Sequence, residues 1–351
     1  MKKPGEQVIT KEKKSYSHIF RDQRMLLLMV IIAIFIGVSI VNPNFIGINN
    51  LVAIFGQISV GGVLAMAMAM LLLTGVIDLS IGNIMALSGC TMATLIVGNT
   101  QGTVSGTAQV GEAAQSMLTS DTGITSIPVA ILIGILVAIA CGALNGFIVA
   151  KSKCMPLIIT LGMSFIYKGL ALIITSGRVM AFKLAFEPLR LTRIGGLVPI
   201  TLLIFIAVVV ISYIIINRTR YGRRLIAIGG NEQNARLSGI NVDRYKISIY
   251  AISGLFCAIA LIIFASRLDS IKSTSGDNFN MWALVAPIIG GVTFDGGRGS
   301  IIGAFLGAFF MGIVQNAMGI MNVSPYIQVT VNGIIIVLAV VLSNLENIRK
   351  R

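Results

Sequence analysis

Several uninterrupted apolar runs in this chain are long enough to cross a membrane, and this feature limits the fold more than any other. A helix needs roughly 20 apolar residues to cross a bilayer core about 30 Å thick. Of the 351 residues, 56% are hydrophobic and only 11% are charged, whereas soluble domains carry about 25% charged residues. The sequence therefore predicts an all-α, polytopic membrane protein and excludes soluble enzymes, secreted modules and disordered proteins.

The apolar runs and the residues that interrupt them predict about ten transmembrane helices. The spans are placed at residues 25–41, 51–73, 81–98, 127–150, 155–176, 198–216, 245–266, 282–294, 300–321 and 325–344. The run at 282–294 is short and contains Pro287, which indicates a broken or re-entrant segment. We interpret 25–345 as one permease domain between a basic tail, 1–24, and a basic C-terminus, 346–351.

The distribution of charge predicts the orientation. Lys and Arg number 27 against 13 Asp and Glu, a formal charge of +14. Most basic residues fall in segments that the ten-span topology places inside, and the 99–126 loop, predicted outside, has none. Basic loops stay on the cytoplasmic side, so we expect a multi-pass protein of the bacterial cytoplasmic (inner) membrane with both termini cytoplasmic. The basic residues lie between apolar runs, which argues against nucleic-acid binding.

The sequence contains none of the motifs of membrane-embedded catalysis. It has no GxxxxGK[ST] phosphate loop, no HExxH and no GxSxG. Its single histidine, His18, lies in the polar tail, and its four cysteines form no CxxC pair and are interpreted as small buried hydrophobes. We expect no enzymatic activity, no metal and no cofactor in this chain.

Two polar interruptions are candidates for broken helices that form a gate. The first, 74–83, contains Asp78, Ser80 and Gly82 between two apolar runs. An acidic residue there lines a pathway or fixes a gate, or else Asp78 or Ser80 caps the helix that begins near residue 81. We favour the cap, although the two roles are compatible.

The second interruption, 290–300, is rich in glycine and contains Asp295, Gly297 and Arg298. Its glycines permit positive φ and close helix approach, but a tight interhelical turn with Arg298 facing the cytoplasm explains them as well. An Asp-x3-Gly pattern is common to both interruptions and hints at an internal repeat. Lys168 lies within a predicted span, where an interhelical ion pair or a snorkelling side chain is expected more than a coupling cation.

The 217–246 segment is the long cytoplasmic loop of the predicted topology. Residues 231–238 are predicted to form a short helix, with Asn231 as its N-cap and Gly239 at its end. A helix of two turns is unstable alone in water, so it requires a surface to pack on. We favour docking against a partner protein over lying on the membrane.

The 177–197 segment is unusually basic for a loop predicted outside. Its basic residues are Arg178, Lys183, Arg190 and Arg193. Either the span count is off by one nearby, or an acidic partner docks on this surface.

Three motifs resemble those of the monosaccharide-type permease subunits of bacterial ABC importers, the family of ribose, xylose, arabinose and galactose permeases. They are residues 74–83, residues 290–300, and the segment from Thr219-Arg220-Tyr221-Gly222 through Gly229-Gly230-Asn231 to Ile240. The resemblance extends from about residue 25 to the C-terminus.

The resemblance implies a homodimer around one path, driven by cytoplasmic ATPase subunits that bind ATP and magnesium. An extracytoplasmic sugar-binding protein would deliver the monosaccharide. The 231–240 helix becomes the coupling helix, on which the ATPase acts through Glu232, Ala235, Arg236 and Gly239. The basic residues of 177–197 become the docking site of the binding protein.

Two kinds of alternative function remain: other substrates within the same family, and other classes of membrane protein. Related permeases carry nucleosides or branched-chain amino acids. An ion- or proton-coupled secondary transporter would use Asp78 and Lys168 for coupling, but it has no need of a glycine-bounded docking helix. A channel or scaffold is disfavoured because no ring of pore charges is present.

Overall fold

The computed structural model describes residues 23–97, 125–196 and 198–349, and most of them are helical. The helices are α1 Gln23–Val41, α2 Ile48–Leu73, α3 Ile81–Val97, α4 Ile127–Ser152, α5 Pro156–Thr175, α6 Glu187–Leu191, α7 Ile200–Arg218, α8 Arg220–Gly230, α9 Glu232–Leu237, α10 Val242–Leu268, α11 Asp277–Ile289, α12 Ile301–Ile320 and α13 Pro325–Arg349. A 3-10 turn, Pro43–Ile46, joins α1 to α2.

Each of the ten predicted spans overlaps one of these helices. Among the described residues, seven helices are long and apolar enough to cross a bilayer, namely α1, α2, α4, α5, α7, α10 and α12, and α3 and the first part of α13 are shorter apolar helices. The prediction of a polytopic, all-α membrane protein is confirmed. The predicted 1–24 tail and 99–126 loop lie almost entirely outside the described residues.

Helix α2 is the centre of the bundle. It is apolar on all sides, and from Gly56 to Leu73 nearly every residue is buried, as expected for a helix without a polar face. Helices α10, α11, α12 and α7 pack around it. Gly61 leaves the space that the Trp282 ring of α11 occupies, and Gly62 leaves space for Phe205 of α7.

The outer helices expose apolar side chains where lipid would contact them. Along α1, only a small fraction of the span is buried, and Ile36, Phe165 and Val210 are about half exposed or more. Since lipid tails are as apolar as these residues, helix association here depends on close packing rather than on water exclusion. Amide pairs add to it: Gln57 on α2 donates to Gln315 on α12 at 3.1 Å.

The two ends of the bundle differ. At one end, the strands β1 Met180–Ala181 and β4 Ser270–Ile271 pair antiparallel, with Met180 opposite Ile271, and β2 Arg193–Ile194 pairs with β3 Val198–Pro199. We call this the strand end. At the other end, α8 and α9 connect α7 to α10, and we call this the α9 end. The described residues of the predicted loop, 177–196, contain β1, α6 and β2, and we call them the ordered cover.

Two predicted boundaries were wrong. The apolar run at 282–294 overlaps α11, but this helix begins earlier, at Asp277, and ends at Ile289, two residues after Pro287, so that 290–294 belong to the following turn. The first half of the 217–246 loop is helical as α8, whose buried residues are Gly222, Leu225 and Ile228. Arginines and glycines obscured this amphipathic helix in the sequence.

Helices α4 and α10 approach closely through glycines. A Cβ on Gly254 would overlap the carbonyl oxygen of Ala138, and one on Gly142 would overlap that of Tyr250. Backbone atoms cannot move aside as a flexible side chain can, so these positions exclude larger residues.

We expect Gly254→Ala to lower the free energy of unfolding by about 1–3 kcal/mol through overpacking. The matched control is Gly162→Ala in α5, because a Cβ there has no neighbour within 4 Å. Thermal unfolding of the detergent-purified proteins measures both. Equal midpoints for the two variants would contradict the close α4–α10 packing.

Candidate functional site

The break between α2 and α3 contains a completely buried carboxylate. Asp78 accepts from the backbone amide of Ser80 at 2.8 Å and from its hydroxyl at 2.6 Å. Asn145 on α4 donates to Asp78 at 3.2 Å and to the Ser80 hydroxyl at 2.7 Å. The Tyr167 hydroxyl on α5 donates to the side-chain Oδ1 of Asn145 at 2.8 Å. The break, α4 and α5 are therefore joined by one hydrogen-bond network around this acidic side chain.

Within the described residues, no Lys or Arg pairs with this carboxylate, and its contacts are neutral donors. A buried acidic group without a cation depends on such hydrogen bonds, and removal of one donor is costly. The arrangement fixes the geometry of the break. Backbone contacts add to this, because the Tyr250 hydroxyl donates to the Ile77 carbonyl at 2.7 Å.

The start of α3 is capped from a distant helix. The Asn280 side chain of α11 accepts from the Gly82 amide at 2.7 Å, and the Thr160 hydroxyl accepts from the Leu79 amide at 3.2 Å. Asp78 orders the turn that leads into α3, but the cap on a free first-turn amide is Asn280. The start of α3 is thus stabilised partly by the local residue Asp78, as expected, and partly by Asn280 of α11.

The glycine-rich loop 290–300 is a tight turn. The Thr293 amide donates to the Arg298 carbonyl at 3.0 Å, and Gly296 and Gly297 have φ of +87° and +68°, which only glycine adopts readily. Asp295 and Arg298 are exposed. Asp78 is buried and Asp295 is not, so the structure gives no support to an Asp-x3-Gly repeat.

The two interruptions meet at a contact made by glycine backbones. The Gly297 amide donates to the Leu73 carbonyl, the last residue of α2, at 3.0 Å. A Cβ on Gly296 would lie 2.7 Å from the Gly75 Cα, and one on Gly229 would lie 2.6 Å from the Gly297 nitrogen. We call Gly75, Gly229, Gly230, Gly296 and Gly297 the glycine junction.

The junction connects directly to α9. Gly229 and Gly230 end α8, and the next residue, Asn231, is the N-cap of α9, its side chain accepting from the Asn234 amide at 2.9 Å. Gly239 follows α9 with φ of +80°. The predicted helix, its cap and its terminating glycine are all found. Asn231 alone therefore separates α9 from the glycines of the junction.

Ion pairs hold α9 to the start of α10. Arg236 contacts Glu232 at 2.9 Å and Asp243 at 2.6 Å, and Lys246 contacts Glu232 at 2.7 Å. Partial burial alone would raise the pKa of Glu232, but hydrogen bonds from Lys246 and Arg236 lower it below its usual range. The carboxylate thus remains ionised at neutral pH, and its pairs with Lys246 and Arg236 are lost in acid, as the pH falls through that lowered pKa.

The residues of α9 face in two directions. Ala235 is buried against Ile228 and Val242, so its side chain packs within the chain. Leu237 is 86% exposed, although it lies in a short helix outside the apolar spans. An exposed leucine beside polar Gln233 and Asn234 is a small apolar surface that a protein partner can bury on binding.

The basic residues of the strand end lie on the ordered cover. Arg178, Arg190 and Arg193 are exposed and Lys183 is half-buried. Arg190 contacts Glu187 at 3.0 Å, and Asp269 holds the cover by accepting from the Leu184 amide at 3.0 Å.

Lys168 forms the interhelical ion pair that the sequence favoured. Its ammonium nitrogen contacts the Asp277 carboxylate at the start of α11 at 2.6 Å. The described parts of the chain contain no cluster of three or more metal-ligating side chains.

Sequence reasoning missed several residues of this site. Asn145, Tyr167 and Asn280 are polar residues inside apolar helices, and that signal was available. Leu237 was missed because it is apolar in a polar segment.

Comparison with known proteins places the chain among bacterial transport proteins. The family described as "Branched-chain amino acid transport system / permease component" matches residues 50–340. A ribose import permease protein of Bacillus subtilis is 33% identical over 87% of this chain and 88% of its own length. The ribose import permease protein and the L-arabinose transport system permease protein of Escherichia coli are each 33% identical over 93% of this chain, covering 94% and 92% of their own lengths. No solved structure matches.

The Asp78–Asn145 contact makes a specific prediction about exchanged side chains. Asp78→Asn alone places two amide donors against each other, and Asn145→Asp alone places two carboxylates together. Each is expected to cost about 1–3 kcal/mol of stability. The double variant restores one donor facing one acceptor, so it should regain most of the loss in thermal unfolding of the purified protein. Additive losses in the double variant would contradict the direct contact.

Proposed function

The chain belongs to the family of bacterial import-system permease components, and from this premise we propose that it is the membrane subunit of an ATP-driven importer of a monosaccharide. The observation that carries the proposal is the similarity, over almost the full length of the chain, to permeases named for ribose and L-arabinose. The substrate is a pentose or hexose that moves into the cytoplasm.

The energy comes from a partner in this proposal. ATP and magnesium bind to separate ATPase subunits, and this chain contributes no catalytic residue. The α9 end faces the cytoplasm together with both termini, in accord with the arginines of 217–246 and the positive-inside rule. The protein thus lies in the bacterial inner membrane, and a second copy of the chain completes the path.

The ATPase docks on α9. The exposed face of this helix offers Leu237 and Arg236, and Gly239 lets the chain turn back towards α10 at φ of +80°. Glu232 holds α9 in place through its ion pairs with Lys246 and Arg236, and this role outweighs any direct contact that it makes with the ATPase. Ala235 seats α9 on its own chain. Closure of the ATPase displaces α9, and the glycine junction carries the movement to the two interruptions, which act as the gate.

The gate residues take distinct roles in this mechanism. Asp78, Ser80 and Gly82 keep the first interruption rigid against α4 and α11. Gly297 joins the second interruption to the end of α2, while Asp295 and Arg298 lie on the exposed side of the loop. An extracytoplasmic binding protein delivers the sugar at the strand end.

The geometry disfavours a proton- or ion-coupled carrier. Lys168 is engaged by Asp277, and the contacts of Asp78 are structural hydrogen bonds at a helix break. A carrier also has no use for a docking helix with an exposed leucine. Nucleosides or branched-chain amino acids remain the family alternatives for the substrate.

Affinity purification of the tagged protein from its native host in mild detergent tests the assembly. Recovery of a nucleotide-binding ATPase and of an extracytoplasmic binding protein is the expected result. Thermal shift of that binding protein with pentoses, hexoses, nucleosides and amino acids then identifies the substrate. A stable chain recovered without an ATPase, with uptake abolished by an uncoupler, would favour the carrier instead.

We expect Leu237→Asp to abolish ATPase recovery without affecting membrane insertion. A charge at an apolar anchor of an interface typically costs more than 2 kcal/mol, so co-purified ATPase should fall at least about tenfold. The control is Leu191→Asp at the strand end, which replaces another exposed leucine, 63% exposed. Equal ATPase recovery by both variants would contradict docking on α9.

The basic cover of the strand end gives a separate prediction. Arg190→Glu combined with Arg193→Glu should weaken binding of the purified binding protein to the permease in nanodiscs by roughly tenfold, because like charges then oppose each other. The wild-type affinity should also fall with added salt. Arg298→Glu, at the other end, is the control, and reversal of Arg178 and Lys183 as well makes the test more stringent. Unchanged affinity after all four reversals would exclude this docking surface.

A further inference from the structure

A basic and aromatic cavity lies beside α9, between α8 and the first turns of α10. Its volume is about 550 Å³. The residues that matter for its chemistry are Tyr221, Arg224, Ile240, Arg244, Tyr245 and Ser248. Gly239, which follows α9, also lines the cavity, whereas the residues of the glycine junction and the exposed Leu237 do not.

The cavity has positive charge without a compensating carboxylate. None of its lining residues is acidic. The nearby acids Glu232 and Asp243 are already engaged by Arg236, Lys246 and Lys151. Arg224 lies over the Tyr245 ring, 5.8 Å from its centroid, and donates to its hydroxyl. In the described residues the Arg244 guanidinium has no ion-pair partner. Arg224, held against Tyr245, and Arg244 together favour an oxyanion in the cavity.

The position of the cavity relates it to the membrane surface. Span α7 ends at Arg218 and span α10 begins at Val242. Tyr245 and Ser248 lie in the first two turns of α10, within about 10 Å of its start along the axis. The Tyr221 and Tyr245 rings lie 5.3 Å apart at this level, where aromatic residues collect at membrane–water interfaces.

We propose that this cavity binds the phosphate of an anionic phospholipid headgroup. Arg224 and Arg244 would contact the phosphate oxygens, and the tyrosine rings with Ile240 would contact the glycerol. Basic pockets between the cytoplasmic ends of spans suit such headgroups. A free inorganic anion would gain no binding energy from the tyrosine rings and Ile240 at the membrane–water interface, because it has no apolar part to contact them. The bound headgroup joins α8 to α10, so it stabilises the chain whether or not an ATPase docks on α9.

Thermal unfolding in detergent with added lipid tests the proposal. Dioleoyl phosphatidylglycerol is compared with dioleoyl phosphatidylcholine, which has the same acyl chains, and with inorganic phosphate as the free anion. We expect phosphatidylglycerol alone to raise the unfolding midpoint. The double variant Arg224→Gln/Arg244→Gln should weaken the apparent affinity for phosphatidylglycerol on the order of tenfold to thirtyfold. This range follows because each of the two arginines contributes about equally, roughly threefold to fivefold, to binding of an anionic lipid.

The control is Arg190→Gln/Arg193→Gln at the strand end, which removes the same charge and should keep the full response. Arg244→Gln alone serves if the double variant unfolds, because its guanidinium makes no ion pair in the described residues. An equal response to both lipids, or an unchanged response of the cavity variant, overturns the proposal. A full response to inorganic phosphate would assign the cavity to a free anion. Loss of co-purified ATPase with an intact lipid response would assign it to a protein carboxylate.

Discussion

The hydrogen bond from the Gly297 amide to the Leu73 carbonyl is the contact on which the rest of the structure depends. It joins the end of the central helix α2 to the loop before α12, and glycines at 75, 229 and 296 let three backbones meet there. A side chain at any of these positions would separate them. Because α8 ends at the same point, the surface helix α9 is one residue from the interior of the bundle.

A second set of contacts, made by α4 and α11, fixes the first interruption, residues 74–83. Asp78 is bound by Ser80 and Asn145, and Asn280 caps α3 from α11. Neutral donors satisfy the carboxylate, so the break is a fixed bend instead of a flexible linker. In the proposed mechanism, a gate built from such segments would move as rigid pieces that pivot at glycines, which suits the transmission of a displacement from outside the membrane.

The sequence predicted the parts of this architecture that depend on local patterns. Apolar runs located the helices, and Asn231 and Gly239 marked both ends of α9. For Lys168, an ion pair and a snorkelling side chain were both predicted, because an unpaired charge in a span is costly, and the structure contains the ion pair. Contacts between distant residues were not predictable: Gly82 and Asn280 are 198 positions apart, and nothing in either local pattern indicates the other. Helix α8 was missed because arginines and glycines hide its buried stripe of Gly222, Leu225 and Ile228.

The glycine junction also differs from the anchors of α9 in how it responds to ionic strength. Ion pairs at the protein surface are weakened by dissolved salt, and Glu232, Arg236 and Lys246 are partly accessible to it. The backbone hydrogen bond between Gly297 and Leu73 carries no net charge and does not titrate. The strength with which α9 is seated therefore varies with the ionic conditions of the surrounding solution, whereas the link from α9 to the interior of the bundle stays the same.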